Sequence, residues 1–283
     1  MGGPEEQLPV LVTGTSSGIG REITEHLSRK GHLVYATVRE EAAVKNLERL
    51  TGVVPMLLDV TRRDSIENVV KQISELGRGL YGLVNNAGIT SFGPLAIVPL
   101  DEMKQVLEVN ILGPYAMVNA CFPFLVESGG RIVNISSVEG FLYEVFDGAY
   151  VISKHALEAY TDTLRDELAP LGIDVIAIEP GGFRTKLISN LLERKGMEYV
   201  DQLRNSPYRD MINDFVSHGL DSEGGFDLVN RPLPGPVAEK VCEALFTPSP
   251  KARYVVGSAE DVRSIVEHFK TLIAQLNAEV RDC

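Results

Sequence analysis

The sequence has few cysteines, and they are not arranged in pairs. Among its 283 residues there are three, Cys121, Cys242 and Cys283, which lie far apart and show no CxxC spacing. This pattern favours neither a disulfide framework nor a zinc site. A reducing compartment is therefore expected.

The sequence also lacks long apolar runs and an excess of positive charge. No uninterrupted apolar run reaches about 18 residues, the length of a membrane-spanning helix, and the acidic N-terminus MGGPEEQ has neither the basic nor the apolar region of a signal peptide. The net charge of −12 argues against a nucleic-acid partner and against an anionic membrane surface. We expect a cytoplasmic protein without membrane insertion, whose acidic surface maintains solubility.

Apolar, β-rich segments alternate with helix-period segments along most of the chain. The strands are expected at 8–14, 32–37, 53–59, 79–86, 131–137, 173–180 and 253–257. The helices are expected at 18–29, 41–50, 63–76, 101–127 and 150–169, with a polar helix at the C-terminus. This alternation predicts an α/β fold, a single Rossmann-type doubly wound parallel sheet with helices on both faces.

The length is compatible with one or two domains, and we predict a single one over 1–283. Its cofactor-binding and catalytic core would span 7–182, and 236–283 would supply a helix, the last strand and the terminal helix. Between them, Gly, Pro, Asn and Asp interrupt short helix-period pieces over 183–235. We expect this excursion to line a substrate pocket, and the alternative is a mobile loop without a ligand role.

A glycine-rich turn joins the first strand to the first helix. It reads TGTSSGIG over 13–20, where the amides of a helix N-terminus can meet a pyrophosphate. Gly14 would permit a tight turn, Gly18 a close approach to phosphates, and Gly20 close packing of helix on strand. The spacing differs from the G-x-G-x-x-G fingerprint, and the alternative is a purely structural turn.

The end of the second strand bears on the choice of cofactor. An NAD enzyme usually has a carboxylate there for the ribose 2′-hydroxyl, whereas this chain has Arg39, which could pair with a 2′-phosphate. NADP(H) is favoured. Glu40 and Glu41 oppose this assignment because they add negative charge, and NAD(H) is the alternative.

Tyr150 and Lys154 are i, i+4 neighbours near the start of a predicted helix, so they share one face. A neighbouring ammonium favours the phenolate, which lowers the tyrosine pKa from its usual value near 10. Tyr150 could then exchange a proton with a carbonyl or alcohol oxygen. On this motif alone, a surface Tyr/Lys pair is the preferred interpretation.

Two more polar residues strengthen the catalytic interpretation. Ser137 ends a predicted strand at the edge where ligands bind, and its hydroxyl could hold the substrate oxygen. Asn110 lies inside a long apolar helix, where a kink with bound water would explain an amide. The alternatives are a turn residue for Ser137 and a core amide bonded to backbone for Asn110.

Taken together, these motifs resemble the short-chain dehydrogenase/reductase family. TGTSSGIG, Asp59-Val60, NNAG (85–88), Asn110, Ser137, YVISK (150–154) and EPGGFRT (179–185) follow that family's order and approximate spacing to about residue 185. The resemblance implies hydride transfer at a nicotinamide. It also implies a tetrad in which Tyr150 is the acid/base, Ser137 orients the substrate oxygen, Lys154 binds ribose and lowers the tyrosine pKa, and Asn110 holds a relay water.

The resemblance also implies the residues that contact the cofactor. With Arg39 and the glycine turn, they are Gly14, Ser16, Ser17, Gly18, Ile19, Gly20, Asp59, Val60, Asn86, Ala87, Gly88, Tyr150, Lys154, Pro180, Gly181, Phe183 and Thr185. Asp59 and Val60 would lie beside adenine, and 180–185 over the nicotinamide.

Within the family, the chain looks most like hydroxysteroid and retinol dehydrogenases, which implies a lipophilic carbonyl or alcohol substrate. The apolar pocket candidates, which accompany Ser137 and Tyr150, are Val138, Phe141, Leu142, Tyr143, Phe146, Phe183 and Leu187. Several of these could instead be core or dimer contacts.

The helices at 101–127 and 150–169 resemble the family's oligomer interface, which implies a homodimer or homotetramer. The alternative functions are an NADP(H)-binding sensor or scaffold, and a dehydratase or epimerase.

Overall fold

The computed structural model describes residues 8–195, 197–219 and 231–281. Its strands are β1 (Val10–Val12), β2 (Val34–Val38), β3 (Val53–Leu57), β4 (Gly82–Asn85), β5 (Arg131–Ile135), β6 (Asp174–Pro180) and β7 (Arg253–Val256). They form one parallel sheet in the order β3-β2-β1-β4-β5-β6-β7. The predicted Rossmann-type sheet is confirmed.

Helices connect the strands. They are α1 (Gly18–Arg29), α2 (Glu41–Leu47), α3 (Arg63–Leu76), α4 (Leu100–Leu107), α5 (Gly113–Ser128), α6 (Gly148–Leu168), α7 (Leu187–Lys195), α8 (Met197–Arg204), α9 (Arg209–Gly219), α10 (Gly235–Phe246) and α11 (Ala259–Arg281). The predicted bounds of α1 and α3 agree with the structure residue for residue.

Both faces of the sheet are covered, because successive strand residues point to opposite sides. In β1, Val10 and Val12 pack in a core that includes side chains of α1 and α10. Leu11 points the other way, into a core with side chains of α3 and α5. Strands buried on both faces need apolar residues at nearly every position, which explains their continuous hydrophobicity.

The predicted helix over 101–127 differs from the observed structure. A π-helical turn, Glu108–Leu112, separates α4 from α5. Asn110 lies in this turn, and its amide binds the backbone of Ile89 rather than the helix itself. A wider turn with an inserted residue is a common way to aim a side chain out of a long helix.

The excursion after β6 contains the helices α7, α8 and α9, and residues 220–230 lie outside the described residues. Glu102 on α4 anchors it. Its buried carboxylate pairs with Arg194, with Nη2 to Oε1 at 2.8 Å, and with Lys195. Further along, the Tyr199 hydroxyl donates to the carbonyl of Phe92 at 2.6 Å.

Within the described part of the chain, one helical stretch is long and apolar enough to cross a membrane by length and composition, Leu100–Ser128. Its buried side chains, including Met117, Cys121 and Leu125, belong to the core on one face of the sheet. One face of the stretch therefore packs in the core of this fold.

Candidate active site

The glycine turn after β1 has the backbone that its sequence predicts. Gly14 and Gly18 have φ angles of 70° and 58°, which favour glycine. A Cβ on Gly14 would lie 2.9 Å from Cα of Ala87, and one on Gly20 would lie 2.3 Å from Nδ2 of Asn86. The turn is therefore packed directly against the segment that follows β4.

Asn86 holds this turn in place. Its side-chain amide donates to the carbonyls of Thr13 and Gly14 at 2.8 and 3.0 Å. In return, the Thr13 hydroxyl accepts from the backbone amides of Asn86 and Ala87 at 2.9 and 3.0 Å. Asn86 was predicted to lie along the cofactor, and the structure shows that its side chain supports the loop that would bind it.

The N-terminus of α1 can accept a phosphate. Ser17 is its N-cap residue but makes no capping hydrogen bond with any described residue, and the first turn, Gly18–Arg21, carries no acid. The first amides of the helix are consequently available to an anion. Ser16 is exposed, whereas Ile19 packs partly against the core.

A pocket of about 460 Å³ lies at the carboxyl ends of β2 and β3. Arg39 and Arg62 both line it, and so does Asp59. Asp59 accepts hydrogen bonds from the amide and hydroxyl of Thr61 at 2.9 and 2.7 Å, while the side chain of Val60 is buried. Asp64, which pairs with Arg62, lines the pocket as well. The size of the pocket fits an adenosine.

Tyr150 and Lys154 lie on one face of α6, as their spacing predicts. Lys154 Nζ is 5.3 Å from the Tyr150 ring centroid. It also donates to the carbonyl of Ile135, the last residue of β5, at 2.8 Å. Helix α6 is thus tied to the sheet edge by the lysine.

The pKa shifts at this pair differ in part from expectation. Burial raises the pKa of Tyr150, Glu139 and Asp147 raise it further, and a hydrogen bond with Ser137 opposes the rise. Burial lowers the pKa of Lys154 to about 8, while Glu158 and Glu139 act to raise it. The expected lowering of the tyrosine pKa is not seen in the protein alone, because desolvation of the phenolate dominates.

Ser137 lies where β5 ends, 7% exposed. Its hydroxyl accepts from the amide of Glu139 at 3.1 Å and lies 3.5 Å from the carbonyl of Pro180. The same hydroxyl caps a short 3₁₀ turn, Val138–Gly140. The hydroxyl is therefore held by local backbone while it also reaches Tyr150.

Asn110 is fully engaged with its neighbours. Its Oδ1 accepts from the amide of Ile89, and its Nδ2 donates to the carbonyl of Ile89 and to the Ser153 hydroxyl, all at 2.9 Å. Ser153 in turn donates to the carbonyl of Tyr150 at 2.7 Å. The role found for Asn110 is to join α6 to the segment after β4, and its role with a relay water stays a prediction.

The loop after β6 lies beside the glycine turn. The amide of Gly181 donates to the carbonyl of Val256 at 2.8 Å. Cβ of Thr185 would lie 3.3 Å from a Cβ built on Gly18, and a Cβ on Gly88 would lie 3.5 Å from Oδ1 of Asn110. Residues from the ends of β1, β4 and β6 therefore meet at one edge of the sheet.

The predicted substrate residues do not form one lining. Val138 is buried in the 3₁₀ turn, and Tyr143 is 75% exposed beside His268 of α11. Phe146 packs with Leu203 and Ile212 beneath the excursion. Phe183 packs in the core that contains side chains of α1 and α10. Phe141 and Leu142 are half-buried, as is Leu187 at the start of α7.

Sequence reasoning missed the ionisable groups around this site. Burial raises the pKa of Glu139 to about 8, and that of Asp147 to about 6. Burial and then Glu158 raise that of Glu179 to about 7. Glu139 lies in the NISSVEG segment, only two residues after Ser137, and this spacing could have predicted an ionisable group near the site. Arg62, three residues after Asp59, is another.

Comparison with known proteins agrees with this geometry. The model of the family described as short chain dehydrogenase matches residues 9–196. The chain belongs to the short chain dehydrogenase family. Membership places it among oxidoreductases that act on a CH–OH group or its carbonyl counterpart.

Several relatives cover most of the chain. Retinol dehydrogenase 16 of Mus musculus is 34% identical over 88% of this chain and 80% of its own length. The NADPH-dependent 3-dehydrocapnine reductase of Ornithobacterium rhinotracheale is 33% identical over 87% of each chain. The match to mouse retinol dehydrogenase 5, at 37% identity, covers 66% of this chain but only 60% of that protein.

Solved structures share the fold. A short-chain dehydrogenase from Streptomyces avermitilis has a TM-score of 0.77 and 29% identity, over 98% of this chain and 97% of that one. Actinorhodin polyketide ketoreductase with NADPH has a TM-score of 0.71 and 28% identity, over 89% of this chain and 95% of that one.

Proposed function

We propose that the protein is an NADP(H)-dependent oxidoreductase that interconverts a ketone or aldehyde and an alcohol on a lipophilic substrate. The observation that carries the proposal is the convergence of Tyr150, Ser137 and Lys154 at the carboxyl edge of the sheet, beside the glycine turn. Ligands of open α/β sheets bind at this edge. A bound nicotinamide supplies or accepts the hydride.

The residues of the chain move the proton and hold the oxygen. Burial keeps Tyr150 protonated at neutral pH, which is the form that donates to a carbonyl oxygen during reduction. Ser137 presents its hydroxyl to the same oxygen, on a turn that fixes its position. Lys154 places positive charge beside the ring, and this charge favours the phenolate that remains.

The preference for NADP(H) is supported by the pocket at the ends of β2 and β3. Arg39 and Arg62 line it, and a guanidinium forms strong, charge-assisted hydrogen bonds with phosphate oxygens. Arg62 is held by Asp64, with Nε to Oδ1 at 3.2 Å and Nη2 to Oδ2 at 2.6 Å. Arg39 is consequently the guanidinium that we assign to the 2′-phosphate.

A lipophilic substrate is supported by apolar side chains near Ser137 and by the names of the relatives. Val138 follows Ser137 directly in the chain, Phe141 lies four residues after Ser137, and Leu187 begins α7. The relatives include retinol dehydrogenases and a 3beta-hydroxysteroid dehydrogenase.

Replacing Tyr150 with phenylalanine tests the reaction. We expect NADPH oxidation with a panel of apolar ketones and aldehydes to fall by about 10²- to 10⁴-fold, the contribution of a positioned acid. Circular dichroism and NADPH binding should be unchanged. Tyr81→Phe is the matched control, because Tyr81 lies before β4 and its hydroxyl donates to the carbonyl of Leu245 at 3.2 Å. Unchanged turnover in Tyr150→Phe would contradict the tetrad, and cofactor binding without any turnover in the wild type would favour a sensor.

A homodimer or homotetramer is part of the proposal. Leu112 and Tyr115 near the start of α5, and Ile152 on α6, are apolar and exposed, and these helices correspond to the predicted interface. Sedimentation at micromolar concentration should give a dimer or tetramer, and a monomer would contradict the assignment.

A cytoplasmic location also stays a prediction, which fractionation of cells that express the full chain would test.

A further inference from the structure

One face of α6 carries polar side chains at successive turns of the helix. Tyr150, Lys154, Glu158 and Asp162 recur at intervals of four residues, so they follow one another along the same side. Lys154 and Glu158 are 6% and 5% exposed, whereas the side chain of Asp162 is 51% exposed. This polar face therefore extends from the reacting tyrosine to the solvent, with two buried ionisable groups between them.

The ammonium of Lys154 is buried without a carboxylate in direct contact. Within the described residues it donates one hydrogen bond, to the neutral carbonyl of Ile135 at 2.8 Å. A buried cation is costly unless a negative charge lies nearby. Glu158 follows Lys154 on the polar face, about 6 Å further along the helix axis, and is placed to supply that charge.

The Glu158 carboxylate is held from two sides. Its Oε2 accepts from Nη1 of Arg253 on β7, which also pairs with Glu179 on β6 and with Asp162. On the other side, a Cβ on Gly140 would lie 2.7 Å from Cγ of Glu158. An arginine partner favours the charged form of a carboxyl group, and the packing against Gly140 fixes where that charge lies.

The other oxygen of this carboxylate lies beside the end of β5. A Cβ on Gly140 would be 2.9 Å from Oε1 of Glu158 and 3.1 Å from Oγ of Ser136. Ser136 directly follows Ile135, whose carbonyl accepts from Lys154. Oε1 is buried and has no hydrogen-bond partner among the described residues. Its charge therefore acts on the nearby ammonium through an interior of low dielectric constant.

The charges that face Lys154 come from two elements. Burial lowers the pKa of Lys154, and Glu158 on α6 and then Glu139 in the 3₁₀ turn raise it. Burial, then Glu139 and Asp147, raise the pKa of Tyr150. Glu158 lies about 12 Å from the tyrosine along the helix axis, with the lysine between them. It can therefore stabilise the ammonium without opposing formation of the phenolate.

We propose that Glu158 is a positioning residue for the reaction, whose negative charge keeps the ammonium of Lys154 charged beside Tyr150. Glu158 acts through Lys154 and takes no part in the proton transfer itself. The tyrosine and lysine can then work together at a pH where a buried lysine alone would lose its charge. This inference rests on the proposed function, in which the ammonium favours the phenolate.

The pH dependence of carbonyl reduction tests this role. Activity with NADPH should fall on the alkaline side as Lys154 loses its proton, and removal of the negative charge should move that fall to lower pH. For Glu158→Gln, we expect the alkaline limb of kcat/KM to move down by about one pH unit. Burial lowers the Lys154 pKa to about 8, so activity should fall about fivefold at pH 8 and change less than about twofold at pH 6. An equal loss at both pH values would indicate a distorted fold and overturn the proposal.

Matched variants separate the charge of Glu158 from its ion pair. Glu179→Gln and Asp162→Asn each remove another carboxylate that pairs with Arg253, and they should leave the alkaline limb in place. Glu158→Met is a second neutral variant of similar length, in case glutamine at this position does not fold. A shift of equal size in Glu179→Gln or Asp162→Asn would show that the ion-pair cluster as a whole is responsible, and would overturn the role of Glu158.

A direct titration of Lys154 separates this inference from the proposed function. In protein labelled with ¹³C at the lysine Cε atoms, the NMR signal of Lys154, assigned with Lys154→Arg, reports its protonation without turnover. We expect its midpoint to fall by about one pH unit in Glu158→Gln. That shift in a protein that reduces no carbonyl would contradict the proposed function and support the role of Glu158. An unchanged midpoint in a folded neutral variant, or an unchanged alkaline limb in an active one, would overturn the inference.

Discussion

The two ends of the candidate site are built differently. At the nucleotide end, the shape comes from backbone: Gly14 and Gly18 have positive φ angles, and α1 presents its first amides. At the catalytic end, the shape of the site comes from ionisable side chains that are largely buried. Lys154 and Glu179 among them are almost inaccessible to solvent. Backbone sites need particular residues at fixed spacings, whereas charge clusters assemble from distant parts of the chain.

The difference also affects stability. Glycines in a turn have no polar side chain to desolvate, so the nucleotide end can form without buried charge. The catalytic end keeps carboxyl groups out of water, which is tolerated only with paired cations and hydrogen bonds. We therefore expect the larger stability effects at the catalytic end.

The largest effect is expected from Arg253→Leu. The guanidinium of Arg253 on β7 contacts Glu158 and Glu179, 2.8 Å from Oε1 of the latter, and their side chains are 7% and 1% exposed. Removing it leaves two buried carboxylates unpaired, which should lower the free energy of unfolding by about 3–5 kcal/mol. Urea titration measures the loss. Arg63→Ala, in an exposed pair with Glu67, should cost at most about 0.5 kcal/mol.

The same variant has a defined pH dependence. The pKa of Glu179 is raised to about 7 in the folded protein, above its ordinary value of 4.5, and loss of the guanidinium raises it further. The unfolded chain titrates alike in both proteins, so the Glu179 part of the penalty should grow as the pH rises through about 7, where this carboxyl ionises in the folded wild type, and should fade below it. A loss that does not change with pH would show that these carboxylates are not its cause.

A smaller effect is expected at the nucleotide end from Arg39→Ala. Loss of a charge-assisted hydrogen bond, about 1.5–3 kcal/mol, should weaken NADPH binding by about 10- to 100-fold and leave NADH binding unchanged. Fluorescence titration with both cofactors measures this. Arg62→Ala is the comparison, because Asp64 already pairs with that guanidinium, and a smaller loss is expected. Wild-type protein that prefers NADH would contradict the cofactor assignment.

The smallest effect separates backbone strain from packing. Gly31 has a φ of 86°, and a Cβ there would meet nothing within 4 Å, so Gly31→Ala should cost about 1–2 kcal/mol for its conformation alone. Gly14→Ala adds the close approach to Ala87, so we expect a larger loss of stability together with weaker NADPH binding. Equal losses in the two variants would show that packing against Ala87 is unimportant.

Sequence reasoning succeeded where local rules decide the structure. The sheet, the positions of its strands and the bounds of α1 and α3 follow from hydrophobic period and from turn chemistry. The π-turn at Asn110 could be expected only as a kink, because its shape depends on a contact with Ile89, 21 residues earlier in the chain.

The parts that were missed depend on tertiary contacts. Glu139, Asp147 and Glu179 look like surface acids in the sequence, and only the fold shows that Glu179 is buried and that the other two are half-buried. The substrate candidates were chosen as apolar residues near Ser137, yet Phe183 packs in the core and Tyr143 is exposed. Hydrophobicity alone does not distinguish a pocket wall from a core side chain.

The hydrogen bonds from Asn86 to Thr13 and Gly14 have a consequence for affinity. They give the loop that would bind phosphate its shape during folding, before any nucleotide arrives. The entropy lost in ordering that loop is then part of the free energy of folding. Binding of a dinucleotide therefore does not include this entropy loss. A pre-organised loop of this kind can bind tightly with few direct contacts, and the residue responsible for it follows β4, whereas the glycines follow β1.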